Sequence, residues 1–173
     1  MTVAVPDAIS SAGLQYFWFV KTYADLEAIT LAEMSAATTV GAGCYVAANS
    51  VDLGFSQGKT EKQRYCLGNA IQSLGKVKFD PPPLRILHDP QGTNVDTNKL
   101  AAAMAKGTAG ALVFRDGFDK DVAVAAGQKY YALEVSVGES WPAPSEGEDS
   151  DFELLVTIAA NGDYTRSGVF AAA

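Results

Sequence analysis

The side chain best suited to acid–base catalysis is His88, the only histidine among the 173 residues. A serine hydrolase triad would have to use it, together with a carboxylate that orients the imidazole ring. Asp89 is adjacent in sequence, but neighbouring residues on a strand point to opposite faces, so Asp89 is poorly placed to orient His88. We interpret His88 as a surface or partly packed residue at a strand end, and we expect no enzymatic activity.

The sequence also lacks the residues and motifs that are typical of metal sites and nucleotide sites. A site with two imidazole ligands would need a second histidine in the same subunit. The sequence has neither a phosphate loop of the glycine, lysine, serine type nor a GxGxxG pattern after a strand. The acidic run SEGEDSDFE contains carboxylates that suit hard cations, without the regular ligand spacing of a calcium loop. Calcium binding stays an open alternative, and we expect no cofactor and no metal site.

Charge is segregated along the chain. Six of the 20 acidic residues lie between Glu139 and Glu153, where there is no lysine or arginine, so this segment dominates the net charge of -7. Basic residues cluster between Lys59 and Lys78 instead. The overall acidity disfavours duplex binding, because affinity for phosphate comes mainly from Lys and Arg. The two segments are either independent solvated surfaces or contacts between subunits, whose candidate residues are Lys59, Lys62, Arg64, Glu146, Glu148, Asp149 and Asp151.

Alternation of apolar and polar side chains predicts a mainly-β protein. Residues 129–138 and 152–160 both place apolar side chains at every second position, as a half-buried strand does. The tripeptide NGD at residues 161–163 predicts a tight hairpin turn after the second of these runs. Further strands are predicted at residues 15–22, 42–51, 64–67, 74–79, 84–89, 109–115 and 164–170.

The first strand, QYFWFVKT, is dense in aromatic residues on both faces. That composition suits a strand covered on both sides or buried against a neighbouring subunit. Trp18 and Phe19 are therefore candidate subunit contacts. No apolar run is long enough to span a bilayer, so we expect no membrane partner.

Two helices are expected among the strands. Thr30 and Glu33 have the spacing of a capping box at the start of a short helix. Residues 94–107 predict a helix of about three turns, capped by Asp96 or Thr97. Residues 52–63 are rich in glycine and charge and are interpreted as a long polar loop.

These elements predict a single domain over residues 1–173, with an N-terminal arm over about residues 1–14. Many strands with mostly antiparallel connections favour an antiparallel β-sandwich or flattened barrel with one flanking α-helix.

In the order and spacing of its segments, the sequence resembles the major tail tube protein of long-tailed, siphovirus-type bacteriophages, particularly those infecting actinobacteria. The resemblance spans most of the chain. It is carried by the early strand followed by ITLAEMSAAT, and then by KGTAGALVFRDG, VAVAAGQKYYALEVSVG and LLVTIAANGDYTRSGVF.

The resemblance implies a β-sandwich protomer that assembles into hexameric rings, which stack as a hollow tube. One sheet of each protomer would join its neighbours in a continuous barrel, and joining removes exposed edge strands. The loop at residues 52–63 occupies the place of a family loop that reaches a neighbouring subunit or ring. The acidic surplus between Glu139 and Glu153 has no counterpart in the family pattern.

The resemblance also implies partners and a location. The partners are other copies of the chain, the tail terminator and distal tail proteins, and the tape measure protein and DNA, which pass through the lumen without specific binding. The location is the virion tail, assembled in the bacterial host cytoplasm.

Other interpretations stay open from the sequence alone. One is a different β-sandwich virion component, such as a tail terminator or a capsid decoration protein. Another is a carbohydrate-binding module in which Tyr130, Trp18 or Trp141 would be a stacking platform. An enzyme would depend on His88 alone.

Overall fold

The computed structural model describes residues 14–46, 51–62, 71–144 and 151–172. Helices α1 and α2 span Leu31–Ser35 and Lys99–Ala103. The strands are β1 Gln15–Val20, β2 Thr39–Gly41, β3 Phe55–Lys62, β4 Ile71–Phe79, β5 Leu84–Leu87, β6 Ala109–Asp116, β7 Lys129–Pro142 and β8 Glu153–Val169.

Six of these strands form one antiparallel sheet in the order β2-β1-β6-β7-β8-β5, and β3 pairs with β4 in a separate two-stranded ribbon. The large sheet is curled. Val46, shortly after β2 at one edge, forms a bridge to Ile86 of β5 at the other edge. The Leu87 N–H also donates to the Tyr45 carbonyl over 2.7 Å. The segment after β2 therefore connects the two edges.

The curled sheet encloses the main core. Every second residue of β7 points inward, and Leu133 lies opposite Leu112 of β6 in the register. Helix α2 packs against this core through Leu100 and Met104, which are both buried. The remaining buried members of the cluster are Phe17, Phe19, Ala42, Leu84, Ile86, Phe114, Val135, Val137, Val156 and Ile158. The alternation used for the sequence prediction is therefore real, and the mainly-β fold is confirmed.

A second, smaller core covers the outer face of the same sheet. It contains Tyr130 of β7 and Phe170, whose ring centroids are 4.4 Å apart, together with Ile29 from the segment before α1. The capping box of α1 is confirmed. The Glu33 N–H donates to Thr30 Oγ1 over 3.2 Å, and the Thr30 N–H donates to Glu33 Oε2 over 2.7 Å.

The predicted NGD hairpin turn is wrong, because β8 runs on through residues 161–163. Leu133 pairs with Tyr164 and Val135 with Ala160, so the extra β8 residues bulge out opposite β7. Gly162, with a φ of 105°, supplies the left-handed conformation that this bulge needs. The turn signal was overridden because β7 is long enough to pair with both sides of the bulge.

The predicted loop at residues 52–63 is also wrong, since most of it is strand β3, paired with β4. Polar pairs such as Thr60 with Ser73 and Glu61 with Gln72 fill its register. The ribbon is solvated on both faces over most of its length. Hydrophobic alternation, on which the strand prediction depended, is therefore absent.

Other boundaries differ from the predictions. The short strand β2 precedes a turn that begins at Ala42, in the described part of the predicted strand at residues 42–51, and residues 47–50 lie outside the described residues. Helix α2 is only five residues long, with Asn98 as its N-cap instead of Asp96 or Thr97. Together with α1 it makes two short helices beside the sheet. The predicted strand at residues 64–67 and nearly all of the predicted N-terminal arm lie outside the described residues.

Candidate assembly surfaces

His88 follows β5 and is half-buried. Its Nδ1 lies 3.0 Å from Asn98 Oδ1, which also accepts a hydrogen bond from the Asp89 N–H over 2.9 Å. The Asp89 carboxylate is directed to its own loop, where it accepts hydrogen bonds from Asn94, Thr93 and Gln91. These bonds, that of the Asn94 N–H foremost, lower the pKa of Asp89 to about 2. Asn98, and not Asp89, orients His88.

Two features are absent from the part of the chain that the structure describes. Within those residues no three His, Cys, Asp or Glu side chains come together as metal ligands. No helix among them is long and apolar enough to cross a membrane.

Trp18, a predicted subunit contact, is half-buried on the outer face of the sheet within its own protomer. The guanidinium of Arg115 lies 5.3 Å from the centroid of its ring and 5.1 Å from that of Phe118. Arg115 is fully buried and donates to the carbonyl oxygens of Val122 and Asp119 and to Gln128 Oε1, over 2.8, 3.1 and 3.1 Å. This network fixes the connection between β6 and β7 and leaves Trp18 only partly available to a neighbour.

Phe19, the other predicted aromatic contact, is fully buried in the main core. It points into the curled sheet, where a side chain added at Gly110 would collide with its ring. The expectation that it contacts a neighbouring subunit is therefore corrected. The pattern of β1 indicates coverage on both faces, and residues of the same chain provide that coverage.

The β3–β4 ribbon carries the described part of the basic cluster. Lys59, Lys76 and Lys78 are exposed, and only Lys78 forms a described ion pair, with Asp80 over 2.9 Å. Lys62 ends β3, while Arg64 lies outside the described residues. Leu74 on the same ribbon is 70% exposed. An isolated two-stranded hairpin is at best marginally stable in water, so this ribbon needs a further surface to pack against.

An apolar groove of about 390 Å³ lies where the ribbon meets the large sheet. Phe79 of β4 contacts Tyr164 of β8 with ring centroids 5.0 Å apart. Arg166 lies over the rings of Phe55 and Tyr164, at 5.0 and 5.7 Å from their centroids. The groove is lined by Leu53, Phe55, Phe79, Tyr131, Ala132, Leu133, Tyr164, Thr165 and Arg166.

The described part of the acidic segment lies at the C-terminal end of β7 and the N-terminal end of β8. Asp151 is exposed, whereas Glu146, Glu148 and Asp149 lie outside the described residues. Glu139 forms an ion pair with Lys106, and Glu153 pairs with Arg85 over 2.8 Å. The described carboxylates therefore surround the end of the β7–β8 pair.

Trp141 lies among these carboxylates and is 76% exposed, although it is a large apolar residue in a strand. It pairs with Leu155 of β8. Of the three aromatics considered as sugar platforms it is the most accessible, because Tyr130 is buried and Trp18 is half-buried.

The sequence analysis did not predict the groove or the role of Arg166. The groove residues come from four strands, and no regular spacing in the sequence connects them.

Comparison with known proteins identifies the family. A family model described as phage tail tube protein matches residues 3–173, which is almost the whole chain. A search of curated proteins finds no match. The mainly-β fold and the exposed ribbon agree with a structural role, and the family model covers the core strands and both charged segments. This chain belongs to the phage tail tube protein family.

Proposed function

We propose that this protein self-assembles into hexameric rings that stack as the hollow tail tube of a long-tailed phage, and that the tube conducts DNA during ejection. The observation that carries this proposal is the β3–β4 ribbon, which exposes Leu74 and Phe55 to solvent in a chain of the tail tube family. A ribbon of two strands gains stability when a third element covers its apolar side. In a tube, that element is a neighbouring subunit.

The contacts between subunits would use the segregated charges. The basic side consists of the ribbon residues Lys59 and Lys62 with Arg64. The acidic side consists of Asp151 with Glu146, Glu148 and Asp149. Complementary potentials of this kind set register and speed association more than they add affinity. Trp18 would contribute its half-exposed ring edge.

The family match supports a wider assembly with other tail proteins. The tube would join a tail terminator at one end and distal tail proteins at the other, with the tape measure protein and then DNA in its lumen. Assembly would take place in the bacterial host cytoplasm. The role is structural, without catalysis, and the family match favours it over a tail terminator, a capsid decoration protein or a carbohydrate-binding module.

Negative-stain imaging of the concentrated protein tests the proposal directly. We expect rings with sixfold symmetry and tubes of uniform diameter, and light scattering should show mass that increases with concentration. A strict monomer at every concentration and salt level would contradict self-assembly. Rings of another symmetry would contradict the hexamer alone.

A further inference from the structure

We propose that Trp141 of one copy inserts into the groove beside Arg166 of the next copy, as a head-to-tail contact between subunits. This inference rests on the proposed self-assembly and names the residues that carry it. The groove belongs to the junction of the β3–β4 ribbon with β8, and Trp141 lies near the opposite end of the β7–β8 pair.

The position of Trp141 requires an explanation, because a tryptophan is rarely left in water. An aromatic side chain buries about 150–250 Å² when it is covered, and tryptophan is enriched at the centres of interfaces. The ring lies on the outer side of the sheet: its partner Leu155 lies between Leu154 and Val156, which both pack inward. The curled sheet therefore cannot cover it.

A chain cannot fill its own groove with its own Trp141. Leu133 of β7 pairs with Tyr164 at the groove, and Trp141 is eight residues further along the same strand. At about 3.3 Å per residue, that separation is roughly 26 Å. Both sites lie on the hydrogen-bonded strands β7 and β8. Only a second copy can therefore bring a Trp141 side chain to the groove.

The groove has the chemistry that an indole ring requires. Its lining is mostly apolar, and Arg166 on its rim already lies over two aromatic rings. Tryptophan is the best aromatic partner for a guanidinium group. Among the described residues Arg166 has no carboxylate in ion-pair distance, so its charge is available to a neighbour.

The charges around the two sites are complementary. At the end of the sheet that presents Trp141, Asp151 has no ion pair among the described residues, whereas Glu139 and Glu153 are paired with Lys106 and Arg85. At the groove, the charge without a described ion pair is that of Arg166. Two copies meeting tail to tail or groove to groove would place like charges together, which favours the head-to-tail arrangement. Such a contact repeats from copy to copy and generates a ring when its rotation closes.

Substitution tests this contact. Trp141→Ala should reduce the apparent association constant at least tenfold, and Trp141→Phe should keep most of it. Val95→Ala is the matched control, because Val95 is 75% exposed and does not line the groove. Because Trp141 is exposed in the single subunit, its replacement should leave the circular dichroism spectrum and the melting temperature unchanged.

Mixing two defective variants gives a readout that only a head-to-tail contact predicts. Trp141→Ala keeps the groove, and Arg166→Glu keeps the tryptophan. Each variant alone should stay largely monomeric, whereas the mixture should form heterodimers that do not grow into tubes. The difference between the emission spectra of the wild type and Trp141→Phe isolates Trp141, and this difference should also shift to shorter wavelength on assembly.

The outcomes separate this inference from the proposed function. Tubes formed by Trp141→Ala with the concentration dependence of the wild type would overturn the contact and leave self-assembly intact. Assembly without a change in Trp141 emission would do the same. A wild-type chain that never associates would overturn both.

Discussion

The hydroxyl of Tyr130 on β7 accepts a hydrogen bond from the backbone N–H of Ile29 over 2.9 Å, across 101 residues of sequence. The same hydroxyl donates to the carbonyl oxygen of Leu26 over 2.7 Å. The ring packs on Phe170 and occupies the space that a side chain at position 168 would need, where Gly168 lies. Tyr130 thus joins the segment before α1 and the end of the chain to the outer face of the sheet.

Tyr130→Phe should lower the free energy of unfolding by about 1–3 kcal/mol, because it leaves the buried Ile29 N–H and Leu26 carbonyl without their partner. For a domain of this size, each kcal/mol corresponds to roughly 2–4 °C in melting temperature. Tyr164→Phe is the matched control, since the Tyr164 hydroxyl makes no hydrogen bond among the described residues and the ring is partly exposed. Equal melting temperatures for the two variants would show that the Tyr130 hydroxyl contributes nothing.

The base of the ribbon depends on a glycine. Gly54 has a φ of 58°, and a Cβ there would overlap the Asp80 carbonyl at the other side of the ribbon base. Gly54→Ala should therefore cost about 1–3 kcal/mol and raise the hydrogen exchange of β3 and β4 amides. Gly92→Ala, with a φ of 67° and open space around it, should cost only about 1 kcal/mol. Equal effects of both changes would exclude a special role of the Gly54–Asp80 contact.

The sequence predicted the strands that are rich in apolar side chains. β7 and the start of β8 were found because residues such as Leu133 and Val135 alternate with polar ones, whereas β6 is a continuous run of residues that is buried on both faces. The ribbon was missed because water reaches both of its faces, and its stability depends on pairing and, in our proposal, on another subunit. The groove beside Arg166 could not be predicted because its walls come from strands whose proximity is a tertiary property.

Alkaline pH should destabilise the fold through half-buried tyrosines. Burial is the main cause that raises the pKa of Tyr16, Tyr23 and Tyr131 to about 12, with smaller contributions from Cys44, Glu134 and Asp116 respectively. In the unfolded chain a tyrosine loses its proton near pH 10. Stability is therefore complete below pH 10 and decreases as the pH rises from 10 to 12, because only the unfolded state ionises there.

Ultraviolet absorbance of tyrosinate and thermal melts across that pH range check this prediction. Some of the tyrosinate absorbance should appear only when the protein unfolds. Tyr131→Phe should reduce the absorbance that appears on unfolding. A titration in which all seven tyrosines ionise together near pH 10 in the folded protein would contradict it.

His88 should be dispensable for fold and assembly. His88→Ala removes one half-buried contact, and Asn98 keeps its bonds to the N–H and carbonyl of Asp89 over 2.9 and 3.1 Å. We expect a change within about 0.5 kcal/mol, as for most surface substitutions. Asn98→Ala should destabilise more, because it removes both of those bonds. Loss of a measurable hydrolytic activity in His88→Ala would instead point to an enzyme.

Salt should slow assembly if the acidic and basic segments meet across a subunit interface. Exposed charges are screened over a Debye length of roughly 10 Å at 0.1 M salt, so the attraction that steers two subunits together weakens as salt rises. Neutralising Glu146, Glu148, Asp149 and Asp151 to the corresponding amides should slow assembly at low salt and have little further effect at high salt.

The matched control neutralises four exposed carboxylates elsewhere, at Asp25, Glu27, Asp119 and Asp163, and changes the net charge equally. If net charge alone governs the rate, both variants will reduce the repulsion between acidic subunits and assemble faster. If the acidic segment binds the ribbon, only the first variant will assemble more slowly. Equal rates for the wild type and the first variant across the salt range would exclude the charged interface.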